Sequence, residues 1–214
     1  AWLEQSWRNV IKNKGQLAAL VYSIGLIIFF ILYLPYFFGQ VIDNKAGLLI
    51  DDFVLNYLPP TDTSWIIFIL IYGCILQTII TNARKPSVIL SGLATYCTVS
   101  LIRMATIYLF TLEPPIGLIP LIDPFVSLIA YEPTFTKDLF FSGHISTLTV
   151  LILIEPNKQL KAIKIIATIA VSVLLLLQHV HYTIDVVAAP LITFASFLLI
   201  RQAFSFNNRI IRAN

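Results

Sequence analysis

The chain has 214 residues, 58% of them hydrophobic and only 12% charged, with a mean hydropathy of +0.86. Water-soluble domains carry roughly 25% charged residues, so this composition excludes a soluble globule and predicts an all-α polytopic membrane protein. The formal charge of +3 is accounted for by membrane topology and calls for no nucleic-acid partner.

Residues 1–15 come first. Trp2, Leu3, Trp7, Val10 and Ile11 fall on one helical face, with Arg8, Lys12 and Lys14 elsewhere, a pattern that predicts a short helix lying in the cytoplasmic membrane interface. Beyond it, apolar runs recur at about the 20-residue length that crosses a ~30 Å hydrocarbon layer. Six spans are predicted: Gln16 to Phe38, Ser64 to Ile80, Ser87 to Leu112, Phe141 to Ile154, Ala162 to Gln178 and Thr183 to Ala203. The first has no small-residue cleavage site and is expected to stay as a helix. Cys74 and Cys97 fall inside the second and third spans, where packing as small apolar residues explains them. The fourth span is short, so its outer end should face protein or a water-filled cleft. Residues 1–214 read as a single six-helix transmembrane catalytic domain, with no internal repeat or composition shift marking a second one.

Lys and Arg accumulate on cytoplasmic loops. With the N-terminus inside, Arg8, Lys12, Lys14, Arg84, Lys85, Lys158, Lys161, Lys164, Arg201, Arg209 and Arg212 share the cytoplasmic side, leaving Lys45 and Lys137 outside and Arg103 within the third span. Both termini are then cytoplasmic. The acidic residues mostly fall on the other face, including Asp43, Asp51, Asp52, Asp62, Glu113, Asp123, Glu132, Asp138 and Asp185.

All three histidines of the chain, His144, His179 and His181, map to the outer ends of the fourth and sixth spans. Histidine is costly in lipid and suited to proton transfer near neutral pH. His181 and Asp185 are four apart, so on a helix beginning near Gln178 they lie one above the other. The carboxylate can then hold one ring nitrogen and leave the other free to attack. Ser142-Gly143-His144 opens the fourth span, where unpaired N–H groups and the helix dipole favour a phosphate and glycine permits close approach. Each signal alone is weak, because polar pairs and glycines also cap helices; together they point to phosphoryl chemistry.

Asp138-Leu139-Phe140-Phe141-Ser142-Gly143-His144 and His179-Val180-His181-Tyr182-Thr183-Ile184-Asp185-Val186-Val187 resemble the third and fourth signature motifs of the sphingomyelin synthases, which belong to the wider lipid phosphate phosphatase superfamily. Arg103 with Thr106 and Tyr108 is similar to the second motif, and Pro59-Pro60-Thr61-Asp62 faintly resembles the first. The chain resembles a compact, bacterial-type member, without the N-terminal extension of the eukaryotic synthases and with a dissimilar outer loop.

The resemblance implies a phosphodiester transferase of the bacterial inner membrane that needs neither metal nor cofactor. Its triad would be His144, His181 and Asp185, facing away from the cytoplasm, and its substrates a phospholipid donor and a lipid alcohol acceptor such as ceramide. The superfamily's phosphatases carry a Lys and Arg before Pro, and an Arg six residues before the nucleophilic histidine, to hold a dianion. Here Leu175 takes the latter place, and Arg84-Lys85-Pro86 falls on the cytoplasmic side. One negative charge on a diester suits so few basic groups. The substrate-contacting set is expected to be Arg103, Ser142, Gly143, Glu113, Tyr131, Glu132 and Tyr182. Arg103 should meet the lipid phosphate or Glu113. The apolar, proline-rich loop from Glu113 to Lys137 should lie on the membrane and roof the site, with Tyr131 or Glu132 meeting an amine.

Two other readings stand beside transfer. Water in place of the acceptor gives a phospholipase C or lipid phosphatase at the same site. A transporter or proton relay would also use buried His, Asp and Arg, but paired broken helices and an inverted repeat are missing from the pattern. The reading is compatible with a monomer or a homo-oligomer.

Overall fold

A computed structural model describes residues 7–123 and 136–206. Its elements are six α-helices: α1 (Lys14–Tyr36), α2 (Ser64–Asn82), α3 (Pro86–Leu109), α4 (Gly143–Ile154), α5 (Lys158–Leu177) and α6 (Thr183–Ala203). No strand occurs among the described residues; the isolated bridge between Leu48 and Leu112 is the nearest approach to one.

Polar side chains mark where the helices start. Asn13 accepts from the Gln16 amide at 3.2 Å to open α1. Asp62 accepts from both the amide and the hydroxyl of Ser64 to open α2, and Pro86 supplies the preset φ of the first turn of α3. Asn157 accepts from the Gln159 and Leu160 amides at the head of α5. Inside the bundle, Ser23, Thr95, Thr149 and Ser196 return their hydroxyls to carbonyls four residues back, which satisfies them where no water is available.

Among the described residues, five helices are long and apolar enough to cross a membrane. The expected fourth span is the exception: α4 has 12 residues, about 18 Å at 1.5 Å per residue, well short of the ~30 Å hydrocarbon thickness. It survives because it is enclosed, packing against α2, α3, α5 and α6. Its lower end stops at Glu155, whose carboxylate is paired with Lys164 of α5, both side chains 1% exposed. Interhelical packing in lipid rests on close fit rather than on water exclusion. The fit here is made by Ile67, Ile71 and Cys74 of α2, Val99 of α3, Ile145 and Leu148 of α4, Ala167, Val171 and Leu175 of α5, and Val186 and Ala189 of α6.

The predicted boundaries shift at three further points. The first span runs on past Phe38, because α1 is continued after Tyr36 by a π-helical segment, Phe37–Ile42, that follows Pro35. α3 ends at Leu109, because Thr111 and Glu113 pair through their backbones with Leu48 instead. α4 starts at Gly143, since Ser142 caps it rather than joining it. Of the expected interfacial helix, the described portion is a single 3₁₀ turn, Trp7–Asn9, with Val10 buried against Ala19, Leu90, Ala94, Ile200 and Phe206. Its remaining part, residues 1–6, lies outside the described residues.

The chain reverses direction at each connection. Trp7 donates to the Ala83 carbonyl at 2.7 Å, and Gly15 lies against the Phe204 carbonyl, so the starts of α1 and α3 and the ends of α2 and α6 share one end of the bundle. Arg8, Lys12, Lys14, Arg84, Lys85, Lys158, Lys161 and Arg201 sit at that end or next to it. The starts of α4 and α6 share the opposite end, tied by the Ser142 amide donating to the Asp185 carbonyl at 3.2 Å.

Candidate active site

The site is built where α3, α4 and α6 meet. Two residues of α3 hold the chain entering α4: Arg103 Nε donates to the Phe141 carbonyl at 2.7 Å, and Thr106 Oγ1 donates to the Phe140 carbonyl at 3.0 Å. Arg103 Nη2 pairs with Asp138 Oδ1 at 2.7 Å. This corrects the expectation that Glu113 would be its protein partner. Glu113 instead accepts from Lys137 Nζ at 2.9 Å and from the Gly47 amide at 2.8 Å. The Lys137 ammonium and then the Gly47 amide hold the Glu113 carboxyl below the usual glutamate range.

Gly143 explains the sequence Ser-Gly-His. A Cβ placed there would come within 2.6 Å of Arg103 Nη1 and 2.9 Å of its Cζ, so only glycine lets the guanidinium rest on the N-terminus of α4. Ser142 caps that helix, its hydroxyl accepting from the Ile145 amide at 3.4 Å. The free N–H groups of the first turn and a guanidinium therefore converge on one spot beside His144, an arrangement that suits an anion.

The histidine of α4 faces the histidine preceding α6. The His144 and His181 rings are 6.1 Å apart between centroids and inclined at 64°. A phosphoryl group between them can come within about 3 Å of one nitrogen of each. His181 is 1% exposed, its Nδ1 turned to Asp185 Oδ2 at 3.4 Å, and the same oxygen accepts from the Tyr182 amide at 3.0 Å. Two buried atoms here have no partner among the described residues, His144 Nδ1 and Asp185 Oδ1. On the other side of His144, Phe68 of α2 meets its ring edge-on at 6.0 Å.

The remaining predicted residues fall elsewhere. Tyr182, expected to touch substrate, is 1% exposed, and its hydroxyl donates to the Glu113 carbonyl at 2.9 Å and receives the Ile50 amide at 3.4 Å. It pins the turn before α6 to two outer loops. Tyr131 and Glu132 lie outside the described residues, as does the middle of the loop expected to roof the site. The near part of that loop packs on the α5–α6 turn, with the Ile119 amide donating to the Gln178 carbonyl at 3.1 Å. Among the described residues no group of three or more His, Cys, Asp and Glu is placed to hold a metal ion.

His179 sits apart from the His144 and His181 pair. It adopts a positive φ of 56°, and its ring nitrogens lie 2.8 Å from the Ile116 carbonyl and 3.0 Å from the Leu58 carbonyl. It joins the two outer loops. Gln178, buried, does the same for α2: its Oε1 accepts from the Thr63 amide and hydroxyl, and its Nε2 donates to Ser64 Oγ. Neither role has a signal in local sequence, and Asp138 had only its place in a motif.

Residues 137–203 match the family model described as PAP2 superfamily C-terminal. The matched stretch holds Asp138, Ser142, Gly143, His144, His181 and Asp185 and stops short of Arg103. It supports placing the chain with the lipid phosphate phosphatase superfamily, whose members are phosphatases or phosphotransferases, and hence supports an enzyme. No curated protein matches the chain. The long apolar helices make it an integral membrane protein.

Proposed function

We propose that the protein is a lipid phosphodiester transferase that moves a phosphocholine- or phosphoethanolamine-type headgroup from a glycerophospholipid to ceramide or a similar lipid alcohol. The observation that carries this reading is the facing pair of His144 and His181, with Asp185 on the far side of His181 and Arg103 against Gly143 beside His144. Asp185 keeps the proton on His181 Nδ1, leaving the Nε2 lone pair to attack phosphorus. The bond from phosphorus to the diacylglycerol oxygen breaks as His144 gives that oxygen a proton, producing a phosphohistidine at His181. In the second half His144 takes the proton of the acceptor hydroxyl. The acceptor oxygen bonds phosphorus, and the P–N bond returns its electron pair to His181. Arg103 and the first amides of α4 stabilise negative charge on the phosphoryl oxygens throughout.

A diester fits this site better than a monoester dianion. Arg103 is the basic side chain at the head of α4. Arg84 and Lys85 precede α3, about 26 Å along that helix from Arg103, and Leu175 is fully buried in the core. We place the site on the extracytoplasmic face of a bacterial inner membrane, with both termini inside, because the basic residues gather at the opposite end of the bundle.

Vesicles containing the protein and a phospholipid labelled in its headgroup phosphate, with and without ceramide, test the reaction. Labelled sphingolipid that appears only with ceramide supports transfer. Free headgroup phosphate released equally in both samples would make the protein a hydrolase at the same site.

A further inference from the structure

Thr183 is the first residue of α6 and lies two residues after His181. Its amide is one of the four that a helix start leaves without an intrahelical partner, and Asp52, from the loop between α1 and α2, takes it. Asp52 Oδ2 accepts from the Thr183 amide at 2.6 Å and Oδ1 accepts from Thr183 Oγ1 at 2.9 Å. The same carboxylate is held in its own turn by the Val54 and Leu55 amides, at 3.0 and 3.4 Å. Burial works to raise the Asp52 pKa, but the Thr183 bonds and those from Leu55 and Val54 outweigh it and leave the carboxyl below its usual range.

The neighbouring donor, the Tyr182 amide, belongs to Asp185, whose Oδ2 must serve both that amide and His181 Nδ1. Asp185 is fully buried, and its other oxygen has no partner among the described residues. Two further donors at this place, the Thr183 amide and hydroxyl, would compete with the imidazole for that carboxylate were they not already engaged. Thr183 is only half-buried, but losing a charged acceptor from these donors still costs free energy, so a second carboxylate within reach would turn to them.

We propose that Asp52 is a positioning residue for His181: by occupying the Thr183 amide and hydroxyl it reserves the Asp185 carboxylate for the imidazole. This rests on His181 being the nucleophile, and it adds a group 129 positions away in sequence that touches neither substrate nor ring. A turn anchored by Tyr182 to Glu113 and Ile50 keeps the backbone in place without Asp52, so its loss should alter the orientation of the imidazole more than the fold.

The experiment compares wild type, Asp52→Ala, Asp52→Asn and the control Asp51→Ala. Asp51 accepts from Asn56 within its own loop at 2.7 Å and, among the described residues, makes no hydrogen bond to α6. Steady-state headgroup transfer is measured together with the ring-nitrogen spectrum of ¹⁵N-histidine-labelled protein in micelles, assigned with single histidine replacements. Expected for Asp52→Ala is a kcat lower by roughly 10- to 100-fold, the loss of a charged hydrogen-bond partner, with KM for the donor unchanged. The His181 signal should pass from the Nδ1-protonated tautomer to a mixture. Asp52→Asn, which keeps one acceptor oxygen, should fall between, and it carries the same readout if Asp52→Ala does not fold. Asp51→Ala should match wild type. An unchanged His181 tautomer in both Asp52 variants, or a loss shared by Asp51→Ala, overturns the proposal. A shifted tautomer in a protein whose wild type transfers no headgroup supports Asp52 positioning and overturns the transfer reading instead.

Discussion

Gly143→Ala should disable the site through one methyl group. The new Cβ would lie 2.6 Å from Arg103 Nη1 and 2.9 Å from Cζ, against ordinary contacts of about 3.5 Å or more, so the guanidinium must retreat by nearly 1 Å. It cannot do so freely, because Nε is held by the Phe141 carbonyl at 2.7 Å and Nη2 by Asp138 at 2.7 Å. Each such charged hydrogen bond contributes about 1.5–3 kcal/mol. A donor displaced from a phosphoryl oxygen in the transition state costs about 10²–10³-fold in kcat. We expect Gly143→Ala to lower kcat by about 100-fold and to lower the thermal midpoint only through the weakened Arg103 bonds, since Ala itself is acceptable in the first turn of a helix. The decisive assay is a double-mutant cycle. If the methyl acts by moving Arg103, Gly143→Ala should cost almost nothing further once Arg103 is Ala, whereas independent effects would multiply. Wild-type turnover in Gly143→Ala, or full additivity with Arg103→Ala, would refute the account of why glycine stands there.

Three further outcomes follow from the described geometry. Asp185→Asn should fold but lose turnover by about 10⁴-fold, the cost of the same change in the serine triad, while His179→Ala, which loosens two loops without touching His144, should keep most of its kcat; turnover and thermal midpoints of the two variants separate these effects. Lys164→Met alone should destabilise the bundle by about 3–5 kcal/mol by stranding Glu155, and Lys164→Met with Glu155→Leu should recover most of that loss in a denaturation series, because a buried pair replaced as a whole is often neutral. Glu113 and Asp52 both have folded pKa values held below their usual ones, so their contributions are complete above about pH 5 and are lost as pH falls through the depressed values; hydrogen exchange of the Gly47, Thr183 and Leu55 amides should rise at that point and not between pH 6 and 8.

Much of this architecture is legible in the sequence because its causes are local. Long apolar runs can satisfy their backbones in lipid only as helices, which places α1, α2, α3, α5 and α6. The Ser-Gly-His start of α4 is a short-range pattern with direct geometric meaning, and so is the spacing of His181 and Asp185, although α6 begins at Thr183 rather than near Gln178, so His181 meets the carboxylate from the turn before the helix and not from a helical face. What is missed depends on pairs far apart in the chain. Arg103 meets Asp138 35 positions on, and Asp52 meets Thr183 131 positions on; no periodicity encodes either. Drawn to Leu112, the third span leaves Arg103 about 13 Å below its outer end. With α3 ending at Leu109 and residues 138–142 descending to meet it, the arginine lies level with the head of a short, enclosed α4. Tyr182, expected to contact substrate, stands between the motif residues, yet its ring lies inside and its hydroxyl joins the turn to Glu113 and Ile50.

The central claim, nucleophilic attack by His181, is tested most directly by trapping the intermediate. Protein incubated with phospholipid labelled in the headgroup phosphate, without acceptor, then quenched in alkali to preserve phosphohistidine and digested, should carry label on the peptide containing His181. The label should be absent from His181→Ala and should disappear from wild type on addition of ceramide. Label on the His144 peptide, or transfer that continues in His181→Ala, would contradict the account.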